Sequence, residues 1–308
     1  MDNSWDIIIV GGGPGGLAAA QYGARANLKT LLIEEMACGG ASLLIDQLEN
    51  YPGIANPISG YDFGEAMRAQ AEKFGAVVHP ASVESIEPQA NGRFSVTAGG
   101  AVFTAGAVIL ATGAKHRHAG FKGEEEFAGR GVSYCATCDG PFFRKKPMLV
   151  VGGGDSACDE ASYLAKLSDQ IIMVHRRDKF RAQPAVAERV LKNPNIKVLW
   201  NTIPIEVQGT GKVQKAILEH VHTKERSEVA VDAAFVFVGS DPRTQLVPFV
   251  KMDAEGYVIT DQRMESSQRG LFAVGDVRAT PFRQVVVAAG EGAIAAHCAA
   301  QYIESLKD

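Results

Sequence analysis

The sequence predicts an α/β protein made of two units, each built on a parallel sheet, and three observations carry that prediction. A continuous apolar run, Asp6-Ile7-Ile8-Ile9-Val10, leads into the glycine string Gly11-Gly12-Gly13-Pro14-Gly15-Gly16 and then into helix-forming sequence. The same grammar recurs in mid-chain, where Pro147-Met148-Leu149-Val150-Val151 leads into Gly152-Gly153-Gly154-Asp155-Ser156-Ala157. At 308 residues the chain also exceeds one ordinary domain of roughly 100–200 residues.

A strand covered on both faces reads as an unbroken apolar run, and residues 6–10 fit that pattern. Leu17-Ala18-Ala19-Ala20-Gln21-Tyr22 follows as a helix and Thr30-Leu31-Leu32-Ile33-Glu34 as a second strand, completing one βαβ unit. Residues 107–114 read as another buried strand ending on a turn. Gln170-Ile171-Ile172-Met173-Val174 closes the second βαβ unit. Residues 234–239 repeat the buried-strand pattern, punctuated by Asp241-Pro242. The tail returns to strand-then-helix order, with Leu271-Phe272-Ala273-Val274-Gly275-Asp276 ahead of a small-residue helix from about Arg283. Such an order places one domain inside another: residues 117–241 interrupt a domain made of 1–116 and 242–308.

Both units are Rossmann-like. Gly11, Gly13 and Gly16 form Gly-x-Gly-x-x-Gly between strand and helix, with Pro14 at the helix start, so that backbone can approach a pyrophosphate at the helix N-terminus. Glu34 ends the next strand about 20 residues on, where a ribose hydroxyl would donate to it. The plain alternative is a glycine-rich turn without a ligand. In the second unit, Gly152, Gly154, Asp155, Ser156 and Ala157 form the turn, and the following strand ends in His175-Arg176-Arg177 where an acid would sit. Basic groups there, with Arg181 nearby, suit a 2′-phosphate, because guanidinium is the fork-shaped donor for that group; a solvated basic face is the alternative. NADPH is therefore assigned to the second turn and FAD to the first. In the tail, Asp276 after Gly275 is placed to accept from a ribitol hydroxyl. Arg283-Gln284-Val285 would open the last helix, whose positive end favours negative charge on a reduced flavin.

Net charge is −4 and Lys and Arg are interspersed with Asp and Glu, so no broad basic surface is visible, which argues against a nucleic-acid partner. No apolar stretch reaches the ~18 residues of a membrane span, and the acidic start is unlike a secretory leader, so the expected home is the cytoplasm. Five cysteines are an odd number with a single close pair, Cys135-Ala136-Thr137-Cys138, so neither a disulfide framework nor a metal site is expected. That spacing suits a readily reduced disulfide, and the adjacent Asp139 suits acid/base work on its thiols. Buried inert cysteines or half of a metal site are the alternatives. The pair travels with the second unit, so a flavin serving both nicotinamide and disulfide calls for domain rotation. Cys158 and Cys298 are expected to be buried and unreactive, while Cys38 is ambiguous. Phe142 and Phe143, ahead of Arg144-Lys145-Lys146, read either as a docking patch or as core aromatics beside a solvated turn.

Taken together, Gly11 to Gly16, Leu48-Glu49-Asn50-Tyr51-Pro52-Gly53, Ala111-Thr112-Gly113, the Cys135–Asp139 segment, Gly152 to Ala157, His175-Arg176-Arg177 with Arg181, Gly275-Asp276 and Arg283-Gln284-Val285 resemble the bacterial low-molecular-weight thioredoxin reductases over essentially the whole chain. The resemblance implies a homodimer passing electrons from NADPH to FAD, to the active-site disulfide and on to thioredoxin. It implies that Cys138 faces the flavin, Cys135 attacks the thioredoxin disulfide and Asp139 is the acid/base. It also brings Gly39, Gly40, Asn50, Ala111, Thr112 and Gly113 into the flavin site. One departure stands out: the family usually has glutamine after the Gly39-Gly40 pair, where this chain has Ala41-Ser42. Other readings are reduction of a glutaredoxin-like or peroxidase-linked disulfide and, more distantly, a diaphorase or ferredoxin–NADP reductase.

Overall fold

The computed structural model describes residues 3–45, 48 and 50–306, so Glu49 of the motif above lies outside the described residues. The chain divides into two compact units, Met1–Lys115 with Asp241–Asp308, and His116–Ser240.

In the first unit β1 (Ser4–Val10), α1 (Pro14–Arg25) and β2 (Thr30–Glu34) form the opening βαβ unit, followed by α2 (Gly60–Lys73) and β3 (Val77–Pro80). Then come β4 (Val83–Pro88), β5 (Phe94–Ala98) and β6 (Ala101–Leu110), after which β7 (Ala114–His116) leads out. The sheet runs β3-β2-β1-β6-β5-β4. All pairs are parallel except β5 with β6 and β4 with β5. Successive residues of the central strands feed opposite cores: Ile7, Ile9 and Ile109 pack under α1 and the last helix, while Ile8, Val10, Val108 and Leu110 pack on the other face. This two-sided burial is why residues 6–10 show no alternation. Each fully buried isoleucine contributes about 1.5–3 kcal/mol.

The second unit carries β8 (Val132–Ser133), α3 (Ala136–Asp139), β9 (Met148–Gly152), α4 (Asp155–Leu164), β10 (Ile171–His175), α5 (Pro184–Leu191) and β11 (Ile196–Trp200). After them come β12 (Thr202–Gln208), β13 (Lys215–His220), β14 (Arg226–Ala230) and β15 (Ala233–Phe237). A parallel sheet runs β11-β10-β9-β15-β8, and β12, β13 and β14 form a separate antiparallel sheet. Beyond β16 (Ser240–Pro242), β17 (Leu271–Ala273) pairs with β6, and α6 (Val285–Ser305) packs against α1.

Besides the antiparallel sheet of β12, β13 and β14, two departures from the sequence-based expectation stand out. The antiparallel strands β4 and β5 flank Asn91-Gly92, and β5 meets β6 across Gly99-Gly100; Gly92, Gly99 and Gly100 sit at positive φ. Those dipeptides are hairpin signals that a search for βαβ units passes over. The last helix also starts later than expected: Val285 is its first residue and Gln284 its N-cap, so Arg283 lies outside it.

Candidate active site

The first glycine-rich turn is set by backbone contacts. Gly11 has φ +107, and a Cβ there would strike the Ala111 carbonyl; a Cβ on Gly16 would strike the carbonyl oxygen of Gly11. Gly13 differs. A Cβ on it would meet only Gly40 Cα, at 3.9 Å, so the space above the start of α1 is open on that side. Gly13 caps α1 without a side-chain hydrogen bond and Pro14 occupies the first turn, which leaves that end of the helix to an anion. This cradle fits a pyrophosphate.

Glu34 stands beside it. Its carboxylate accepts from Gly12 N (2.6 Å) and Met36 N (3.0 Å), and a carboxylate retains further lone pairs for a ribose hydroxyl. Gly39 N donates to Gly12 O (2.8 Å), tying the Gly39-Gly40 loop to the turn. At the departure noted above, the buried Ser42 hydroxyl donates to Gly39 O (2.6 Å), so it closes its own loop. Thr112 donates to Arg243 O (2.7 Å) and Gly113 adopts φ +65, bending the chain after β6. Asn50 and Gln284 come together, with Asn50 Nδ2 donating to Gln284 Oε1 at 3.3 Å.

Asp276 lies in a short 3-10 turn, Gly275–Val277. Burial raises its carboxyl above the ordinary range, Arg283 pulls it back and Glu291 pushes it up again. Arg283 lies over the Tyr257 ring at 4.3 Å. Sequence reasoning missed the frame beneath this turn: buried Glu291 accepts from Gly275 N (2.7 Å) and pairs closely with Arg278, whose Nε donates to Thr260 Oγ1 (2.7 Å). Arg278 follows the Gly275-Asp276 motif at two residues, the one sequence hint available.

In the second unit Gly152 is the tight position, where a Cβ would strike the Phe237 carbonyl, and Gly154 is the open one, with nothing within 4 Å. Gly154 caps α4 without a side-chain bond; Asp155 and Ser156 are exposed in its first turn and Ala157 is buried. Asp155 Oδ1 accepts from Gln183 N (2.8 Å), and Arg181 N donates to Gly153 O (2.7 Å), which fixes the arginine-bearing loop to the turn. Arg176, Arg177 and Arg181 are all exposed. His175 is not one of that exposed set. Its imidazole is buried against Gly153 with Phe180 and Trp200 around it, and burial followed by Arg177 and Arg181 lowers its pKa. The positive charge facing solvent is therefore that of the three arginines, a donor set that fits a 2′-phosphate.

Cys135 and Cys138 are joined as a disulfide, with Cα atoms 5.3 Å apart. Cys135 is half-buried and caps α3, its Sγ accepting from Cys138 N at 3.2 Å, while Cys138 is buried. Asp139 closes the same helical turn and its N–H donates to Cys135 O (3.2 Å). Phe143 packs edge-on to Phe235, as a core aromatic does, whereas Phe142 is exposed beside Arg144 and Lys145. Cys38, Cys158 and Cys298 are free and buried, and burial raises the thiols of Cys38 to about 11 and Cys158 to about 12. Also unforeseen is Tyr134, next to Cys135: its hydroxyl donates to buried Glu124 (3.0 Å) and its ring stacks on His116.

The model of the pyridine nucleotide-disulphide oxidoreductase family matches residues 5–292. The chain belongs to that family. It is 54% identical over 308 residues to a thioredoxin reductase of Treponema pallidum, covering 100% of both chains. It is 42% identical to one of Listeria monocytogenes, covering 99% of this chain and 95% of the other. The crystal structure of the thioredoxin reductase of Streptococcus pyogenes superposes with a TM-score of 0.94 at 41% identity, over 99% of this chain and 100% of that one. As a member of this family the protein is a flavoprotein oxidoreductase with FAD and NADPH as its cofactors.

Proposed function

We propose that this protein is a thioredoxin reductase, passing electrons from NADPH through FAD and the Cys135–Cys138 disulfide to the disulfide of thioredoxin. The observation that carries this reading is the bridge itself, held at the cap of α3 in the same unit as the arginine-flanked glycine turn. Bound FAD supplies a two-electron carrier that a hydride donor reduces and a disulfide reoxidises.

The chain's own residues supply positioning and proton control. The cradle over Gly13, with Glu34, Asn50 and the Asp276 turn, holds FAD. The cradle over Gly154 and the guanidinium groups of Arg176, Arg177 and Arg181 hold NADPH, selecting it over NADH by its extra phosphate. Two electrons and two protons convert the bridge to two thiols, with Asp139 as the acid/base. Half-buried Cys135 then attacks one sulfur of the thioredoxin disulfide, and buried Cys138 attacks Cys135 to release reduced thioredoxin. Exposed Phe142, with Arg144 and Lys145, is the surface offered to that partner.

The working molecule is a homodimer, a reading supported by the outward stripe of Val286, Gly290 and Ile294 on α6. Sedimentation at the protomer mass would remove it. Three free thiols suit a reducing cytoplasm, and no helix among the described residues is long and apolar enough to cross a membrane. The deciding experiment is Cys138→Ser. The variant is expected to stay yellow and to pass electrons from NADPH to ferricyanide, while losing thioredoxin reduction by at least about 100-fold. Intact thioredoxin reduction would end the disulfide-relay reading, and reduction of a glutaredoxin in preference to thioredoxin would change the partner.

A further inference from the structure

We propose that Thr137 is a catalytic residue, its hydroxyl donating to the Cys135 sulfur and stabilising the thiolate formed there when the bridge opens. The inference rests on the reading of Cys135 and Cys138 as the redox couple. Among the groups at Cys135 Sγ are Cys138 N at 3.2 Å and Thr137 Oγ1 at 3.4 Å. A bridged sulfur carries no proton, so in the disulfide the threonine hydroxyl is the donor and the sulfur the acceptor. Neutral divalent sulfur accepts weakly, whereas a thiolate accepts strongly. The same two contacts therefore gain strength as negative charge arrives, which is the differential stabilisation that accelerates a step.

The frame that keeps those donors in place does not depend on the S–S bond. Cys135 N donates to Ser133 Oγ (3.1 Å), the Ser133 hydroxyl donates to Cys135 O (3.2 Å), and Asp139 N donates to that same carbonyl (3.2 Å). Ser133 is buried, so residue 135 stays anchored on both its peptide groups after the bridge opens. The turn of α3 then continues to present Cys138 N–H and the Thr137 hydroxyl to the separated sulfur.

Thr137 acts twice in one cycle. When the bridge takes up two electrons at Cys138, the S–S bond breaks and the electron pair of that bond departs on Cys135 Sγ, so a hydroxyl that stabilises this thiolate improves the leaving group. In the next half-cycle the thiolate attacks one sulfur of the partner disulfide. A mixed disulfide forms and the partner's other sulfur leaves as a thiolate. Cys138 then attacks Cys135 Sγ, restoring the bridge and expelling the partner's first sulfur, which takes up a proton. A lowered Cys135 pKa keeps more of the thiol in the attacking form near neutral pH.

The test uses the NADPH-reduced holoenzyme, alkylated with iodoacetamide across a pH series, with the modified cysteine identified by peptide mass mapping. Thr137→Val removes the hydroxyl at nearly constant volume, and Thr137→Ser keeps it. For the valine variant the midpoint of Cys135 alkylation should rise by roughly one pH unit. Below that midpoint its rate should fall about threefold, because a tenfold smaller thiolate fraction is partly offset by a more nucleophilic thiolate. The serine variant should follow the wild type. An unshifted midpoint in Thr137→Val, with alkylation still at Cys135, overturns the role of Thr137 and leaves the relay standing; so does a serine variant that shifts as far as valine. Alkylation that falls first on Cys138 in every protein overturns both the role of Thr137 and the assignment of Cys135 as the attacking sulfur.

Discussion

The two glycine-rich turns share a backbone plan and part company at two places. In each, one glycine is forced by a neighbouring carbonyl, Gly11 under Ala111 and Gly152 under Phe237, and one is left facing open space, Gly13 and Gly154. The third small position differs: Gly16 sits against the Gly11 carbonyl, whereas the second unit accommodates Ala157. The acid that ends β2 is held by two backbone N–H groups, while the second unit buries His175 there and exposes the arginines that follow. Shared features serve what both cofactors have in common, the pyrophosphate. Differing features face what distinguishes them, a ribose hydroxyl in one case and a 2′-phosphate in the other.

Exchanging the third position is the harshest test of this comparison. Gly16→Ala drives a methyl group into a backbone oxygen that cannot rotate away, and should cost on the order of 3 kcal/mol together with loss of bound flavin. The reciprocal Ala157→Gly frees helix backbone and removes one buried methyl group, and should cost about 1–2 kcal/mol with flavin retained. Flavin absorbance of the purified variants and their denaturant midpoints decide the matter. Equal losses would mean that the two turns are built alike after all.

The arginine side is tested by ligand preference. Each charge-assisted hydrogen bond to the phosphate is worth about 1.5–3 kcal/mol, so Arg176→Ala with Arg177→Ala should raise KM for NADPH by roughly 30-fold or more. KM for NADH should stay within about twofold, since NADH brings no 2′-phosphate. A parallel rise for both nucleotides would show that the arginines shape the fold and do not read the phosphate.

What was legible in the sequence follows the same division. Backbone-driven features were legible, because Gly-x-Gly-x-x-Gly and unbroken apolar strands are dictated by close approach and two-sided burial, and these leave their mark on residue type. Side-chain placement was not. His175 belongs to a basic triplet in sequence yet is buried apart from it, because β10 is covered on both faces up to His175, where Gly153, Phe180 and Trp200 enclose the ring, and the arginines follow beyond the strand's end. Glu291 lies sixteen residues from Gly275 and supports it only because α6 folds back over β17. Tyr134 and Glu124 meet for the same reason: a contact across a loop has no periodicity to announce it.

Glu160, on α4 just after the second turn, marks a last contrast with the well-held Glu34. Its Oε2 is buried without a hydrogen-bond partner, and burial, assisted by Asp159, raises its pKa from the ordinary 4.5 to about 7. Between those values the folded chain holds a proton that the unfolded chain has released. Stability therefore falls as pH rises through that window and levels off above pH 7. Glu160→Gln removes the penalty by making the side chain permanently neutral. The variant should match the wild type near pH 5 and exceed it at pH 8 by on the order of 1–2 kcal/mol, read as a pH-dependent gap between urea midpoints. A gap of the same size at both pH values would mean that Glu160 gains a partner for its charge, and would place it with Glu34 among the carboxylates that the fold supports.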